Sequence, residues 1–261
     1  ENVHCLLAYT AQVARETASF YVENGADVVA VVDPMTSQIG EAHFTSFVAP
    51  VLRTLFDHIH RLGAFGSLFV CGDATDNLAS MAATGCDKIS VDENISLDYL
   101  RTLSQTCNVS VGGNMKLTTV LLLGSEQDCQ GEALRCMDTM GTDGFILSPG
   151  CDLPWGVPPA NLEAVAAMVH DPYQRDVARQ TLRFPEEDTF DDIVLPDYDA
   201  LDHCSVEVFT LDSAACPPCQ YMVDAAATAA SHMGEAVQVM EYKIKGREGI
   251  GRMKRLGVEH I

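Results

Sequence analysis

Two groups of cysteines and a row of polar residues carry the chemistry that this sequence offers. Cys216-Pro217-Pro218-Cys219 sets two thiols three positions apart, between a β-rich run and a helical pattern. A first cysteine at a helix N-terminus faces free amide hydrogens and the positive end of the helix dipole, which stabilise a thiolate. The spacing lets the second thiol attack a mixed disulfide formed at the first. Pro218 fits the first helical turn because it has no amide hydrogen to satisfy. Dithiol–disulfide exchange by Cys216 and Cys219 is the expected activity; a structural zinc knuckle completed by His203 and Cys204 is the alternative. Elsewhere Asp33, Cys71, Asp73, Asp92, Glu93, Asn114 and Cys151 each close a short apolar run. Some, Asp73 among them, serve equally well as helix caps. Cysteine is a poor cap, and a small hydrophobe would fill a core as well, so Cys71 and Cys151 point to chemistry.

The elements that must position these residues alternate. Five runs, VVAVVDP (28–34), SLFVCGD (67–73), KISVDE (88–93), VSVGGN (109–114) and GFILSPGC (144–151), are nearly continuous in apolar residues before a polar end. Strands apolar on both faces belong to parallel sheets covered by helices. Helical patterns lie between them, at Phe47–Leu62, Asp76–Thr84, Leu97–Thr106, Glu126–Met140 and Asn161–Val169. Repeated βα units give a parallel α/β domain, whose active site gathers at the carboxyl ends of the strands. The chain opens on a helical pattern with no strand before it and stops within an apolar element at Ile261. If the domain is a barrel, its first three βα units are expected to be missing.

Charge divides the chain. Residues 186–202 carry eight acidic side chains and no basic one, with Pro185 before them and Pro196 inside, which reads as an acidic linker over 184–202. The expected domains are therefore 1–183 and 203–261. In the second, VEVFTLD (206–212), a helix over 216–233, AVQVMEYKI (236–244) and a helix over Gly249–Leu256 follow in order. The whole chain of 261 residues has 16 Lys+Arg against 37 Asp+Glu, a net charge of −21, which argues against nucleic-acid partners. No apolar run approaches the roughly 18 residues of a membrane span. The ten cysteines are too irregular for a secreted disulfide framework, so reduced thiols and a cytoplasmic protein are expected.

The residues also support two resemblances. Cys216-Pro217-Pro218-Cys219, the helix behind it and the run KRLGVEHI resemble the thioredoxin superfamily over residues 203–261, a domain that would be incomplete at its C-terminal end. Tyr21-Val22-Glu23-Asn24-Gly25-Ala26-Asp27 with Asp33-Pro34, Leu68-Phe69-Val70-Cys71-Gly72, Gly113-Asn114, Ser148-Pro149-Gly150-Cys151 and Pro158-Pro159-Ala160-Asn161-Leu162 run in one order over about residues 4–170. This set resembles the uroporphyrinogen decarboxylase superfamily, in particular its methylcobamide:coenzyme M methyltransferase branch. The resemblance implies a (β/α)8 TIM-type barrel, present here from about strand four to strand eight. It implies a methyl group moving from a corrinoid, free or on a corrinoid protein, to a small thiol activated by zinc. The zinc positions fall on Cys71 and Cys151, with Asp92 as the completing carboxylate, because Phe69 stands where the branch has histidine. Asp33 and Asn114 are the expected substrate-binding residues. A metal-free decarboxylase acting on a tetrapyrrole and a non-catalytic tetrapyrrole-binding or redox-sensing protein are the alternatives.

Overall fold

The computed structural model describes residues 2–182, 190–210, 213–214, 217–244 and 246–258. These fall into two compact units, Glu1–Phe184 and Pro185–Ile261. The first contains helix α1 (Asn2–Glu23), strand β1 (Val28–Val32), the one-turn helix α2 (Glu41–His43), α3 (Ala49–Arg61), β2 (Phe65–Val70), α4 (Leu78–Ala82) and β3 (Lys88–Val91). It continues through α5 (Leu97–Cys107), β4 (Ser110–Met115), α6 (Glu126–Met140), β5 (Phe145–Pro149), α7 (Pro159–His170) and α8 (Pro172–Thr181). Each of the five expected runs forms a strand, within a few residues at either end. The helix over Pro172–Thr181 was not foreseen; Asp171 caps it, accepting from the Tyr173 and Gln174 amides.

The five strands are parallel and lie in chain order, β1-β2-β3-β4-β5. A doubly wound sheet reverses its order at a switch point, whereas a barrel keeps winding one way. The sheet is α/β and of the barrel type. Its helices bury one stripe each: Leu52, Leu55, Phe56 and Ile59 of α3 follow the i, i+3, i+4, i+7 spacing of an amphipathic helix. They join Leu68, Val70, Ile89, Val91 and Val111 from the strands in one core. Val28, Val32, Phe65 and Ile146, on or next to the sheet, remain exposed. No helix among the described residues is long and apolar enough to cross a membrane.

Three asparagines pin the loops at the carboxyl edge in one repeated way. Each points its amide nitrogen at two backbone carbonyls three residues apart. Asn77 donates to Thr36 and Ile39 (2.8 and 2.7 Å), Asn114 to Asp92 and Ile95 (3.2 and 2.6 Å), and Asn161 to Leu121 and Gly124 (2.9 and 3.0 Å). Every one of the three is buried, so the loops after β1, β3 and β4 are each held by a neighbouring βα segment. Gly113, at φ +129°, precedes Asn114 in a conformation that other residues rarely adopt.

The second unit is built from β6 (Cys204–Thr210), α9 (Pro217–Ser231), β7 (Val237–Lys243) and α10 (Arg247–Arg255), with β6 and β7 parallel. At its centre Arg252 makes a two-pronged ion pair with Glu207, Nε and Nη2 each donating at 2.6 Å, while Tyr198 also donates to Glu207 at 2.7 Å. Both ionic side chains are below 10 % exposed, at 9 % and 6 %. The guanidinium holds the Glu207 carboxyl below the usual range, and the carboxylate holds Arg252 protonated. The described part of the acidic stretch is anchored within this same unit. Arg247 grips Asp192 with two hydrogen bonds of 2.7 Å, and Arg255 donates to the carbonyls of Asp191 and Ile193. Buried Phe190 lies under the Arg247 and Lys254 cations. Arg247 thus pairs with Asp192 and Arg255 with the backbone of the stretch, contacts that composition alone did not reveal.

Two outcomes follow from these contacts. Asn161→Ala leaves the Leu121 and Gly124 carbonyls without their donor and lowers unfolding stability by about 1–3 kcal/mol, measured by urea titration. The depressed Glu207 pKa stabilises the second unit above the ordinary glutamate range and is lost as pH falls through its folded value. Protection of the β6 amides, taken relative to their intrinsic exchange rate at each pH, should therefore fall in acid. In Glu207→Gln the protection should already be lower at neutral pH and depend less on acid.

Candidate functional site

The carboxyl ends of β2, β3 and β5 bring the site together. Cys71 directly follows β2, and Cys151 lies two residues beyond β5. Strands β2 and β5 are three positions apart in the sheet, roughly 14 Å if it were flat. Their sulfurs are 3.0 Å apart, so the sheet curls and closes its edge toward a common axis. Both cysteines are free thiols, partly accessible. Burial, the hydrogen bond to Cys151 and the charges of Cys151, Asp92 and Asp152 push the Cys71 thiol up to about 12.

Asp92 lies between these two loops and is 8 % exposed. Its Oδ2 accepts a short hydrogen bond from the Gly72 amide and a second from the Asn94 side chain at 3.1 Å, while Oδ1 accepts from the Asn94 amide at 2.9 Å. Its backbone packs against Gly150: a Cβ there would stand 2.9 Å from the Glu93 nitrogen and 3.1 Å from the Asp92 Cα. One residue thus holds the neighbours of both cysteines. Glu93 turns the other way and accepts from the Leu117 amide at 2.6 Å; burial raises its carboxyl above the usual range.

The remaining expected residues are placed as follows. Asp33 directly follows β1 and accepts from the Thr36 hydroxyl at 3.0 Å. Asn114 spends both amide hydrogens on the β3 loop, and its Oδ1 is buried without a hydrogen-bond partner. In the second unit Cys219 is buried at the start of α9 and disulfide-bonded, while Cys216 lies outside the described residues. Glu241 of β7 pins the loop ahead of the motif by accepting from Thr210 and from the Ser213 amide and hydroxyl. Asn77, Asn94 and Asn161 were not singled out by sequence reasoning. Their signal is positional: Asn77 and Asn94 sit in βα connections, and Asn161 lies in the first turn of α7.

Two thiols from the loops after separate strands supply the soft ligands that zinc prefers. Zinc–sulfur bonds of about 2.3 Å at a tetrahedral angle hold two sulfurs about 3.8 Å apart, wider than this pair. Asp92 does not supply the third ligand, because its oxygens are turned to Gly72 and Asn94. Phe69, half-buried on β2, offers no donor. Among the described residues no group of three His, Cys, Asp or Glu is placed to hold a metal ion. The set Cys71, Cys151 and Asp92 therefore does not fit zinc in this arrangement.

Comparisons with known proteins agree with the fold. The family model described as uroporphyrinogen decarboxylase (URO-D) matches residues 1–172. A methylcobamide:CoM methyltransferase, MtbA, from Methanosarcina mazei is 31 % identical over 163 residues, 62 % of this chain and 47 % of that protein. A uroporphyrinogen decarboxylase from Anaeromyxobacter dehalogenans is 28 % identical over 170 residues, 65 % of this chain and 48 % of that protein. Among solved structures, a methyltransferase from Methanosarcina mazei superposes with a TM-score of 0.56 at 26 % identity, over 62 % of this chain and 47 % of that one. The chain spans about half the length of the curated relatives it matches. With its one-way parallel winding, its site at the carboxyl edge and the match over residues 1–172, the chain belongs to the uroporphyrinogen decarboxylase family.

Proposed function

We propose that the first unit moves a methyl group from a methylcobamide, free or carried by a corrinoid protein, to a small thiol. The second unit is then an appended thioredoxin-like domain whose Cys216 and Cys219 exchange dithiol for disulfide. The observation that carries the first part is the convergence of Cys71 and Cys151 at the edge of a barrel sheet 31 % identical to a methyltransferase of that kind. In such a transfer the acceptor sulfur attacks the methyl carbon, and the carbon–cobalt bonding pair stays with cobalt. The chain's own residues bind and orient. Asp33 and the unpartnered Oδ1 of Asn114 accept hydrogen bonds from substrate donors. Asp92 fixes the loops that carry the two cysteines. The donor set does not fit zinc, so no step runs through a metal.

The same shortage of donors favours one other reading, a metal-free decarboxylase-like enzyme, which the 28 % identity to a uroporphyrinogen decarboxylase also supports. One assay separates the two. The reduced full chain, given methylcobalamin and coenzyme M, should consume methylcobalamin and release methylated thiol. Cys71→Ala and Cys151→Ala should each slow this by about 100-fold, the scale of a misplaced reactant. Turnover of uroporphyrinogen with no methylated thiol would select the decarboxylase reading instead.

The appended domain has its own test. With glutathione disulfide, Cys219→Ser should accumulate a stable mixed disulfide at Cys216, detected by mass spectrometry, because the resolving thiol is gone. Equal accumulation in the unaltered chain would remove the dithiol reading.

A further inference from the structure

The two site cysteines stand closer together than a shared zinc ion would hold them. Their sulfurs approach to 3.0 Å across the three inter-strand steps from β2 to β5, with both side chains partly accessible. A disulfide needs a sulfur separation of about 2.05 Å, so about 1 Å of approach closes the bond. The two residues lie on loops rather than inside strands, one beside Gly72 and the other beside Gly150. No third donor stands by to divert the pair into a metal site among the described residues.

We propose that Cys71 and Cys151 are a reversible redox pair that closes to an intramolecular disulfide. The oxidant is a disulfide of low molecular weight, of the glutathione disulfide class. One cysteine, as thiolate, attacks a sulfur of the oxidant, forming a mixed disulfide and expelling one thiolate, which takes up a proton. The second cysteine loses its proton and attacks the protein-bound sulfur. The Sγ–Sγ bond forms, the sulfur bond to the small thiol breaks, and the second small thiol leaves. Two protein thiols are oxidised by two electrons and one external disulfide is reduced to two thiols. Excess dithiol reverses both steps. This inference does not rest on methyl transfer: it requires only that the two sulfurs meet.

The test uses the full chain without any variant. The protein is reduced, freed of reductant, treated with glutathione disulfide, blocked with N-ethylmaleimide, digested and analysed by mass spectrometry. The exposed Cys5, Cys107 and Cys204 report through their glutathione adducts that the oxidant acted. The expected result is joint loss of maleimide from Cys71 and Cys151, with a linked peptide pair that dithiothreitol separates. Maleimide retained on both residues, or a separate glutathione on each without a linked pair, overturns the proposal. A reduced protein that keeps one zinc ion per chain and shields both sulfurs from the oxidant overturns it as well.

Discussion

The candidate site depends on the carboxylate of Asp92 and the amide it holds. Three strands end close together, but a strand end does not fix the loop that follows it. Asp92 does this for two loops at once: its oxygens accept from Gly72, next to Cys71, and its backbone supports Gly150, next to Cys151. A buried carboxylate is tolerated only when its oxygens are hydrogen-bonded, and here Gly72 and Asn94 supply the donors. The same engagement removes Asp92 from the role of metal ligand. Burial and the neighbouring Cys151 raise the Cys71 thiol, and the Asp92 charge adds to them.

Around this bracket the three asparagine clamps give the edge its rigidity. A loop carbonyl that faces the interior must find a donor, and a primary amide offers two hydrogens from one side chain. Asn77, Asn114 and Asn161 each satisfy two carbonyls of a neighbouring loop, so adjacent βα units are linked along the edge. The second unit solves a related problem by charge. Glu207 and Arg252 neutralise each other in a position that neither occupies cheaply alone, and Tyr198 adds a further hydrogen bond to the carboxylate.

Much of this could be read from the sequence, for identifiable reasons. Val28 to Val32 or Phe65 to Val70 are recognisable as strands because parallel strands are apolar on both faces, a local property. Cys71 and Cys151 stood out because cysteine has no capping use at a strand end. Their contact was not legible, since it depends on how far the sheet curls. The engagement of Asp92 was hidden for another reason: whether a carboxylate faces a metal or a backbone amide is decided by a loop 20 residues away. Asn161 lay within a motif already noticed, yet its partners Leu121 and Gly124 are about 40 residues upstream. The acidic stretch looked self-repelling because Arg247 and Arg255, which hold it, come more than 50 residues later.

The central claim is that Asp92 brings Cys71 and Cys151 within reach of one another. The most direct measurement is cross-linking of the reduced full chain by the short bifunctional thiol reagent dibromobimane, followed by peptide mapping. The account predicts a Cys71–Cys151 bridge in the unaltered protein and its loss in Asp92→Ala with the barrel still folded by circular dichroism. A bridge formed equally well in Asp92→Ala, or none in the unaltered protein, would contradict it.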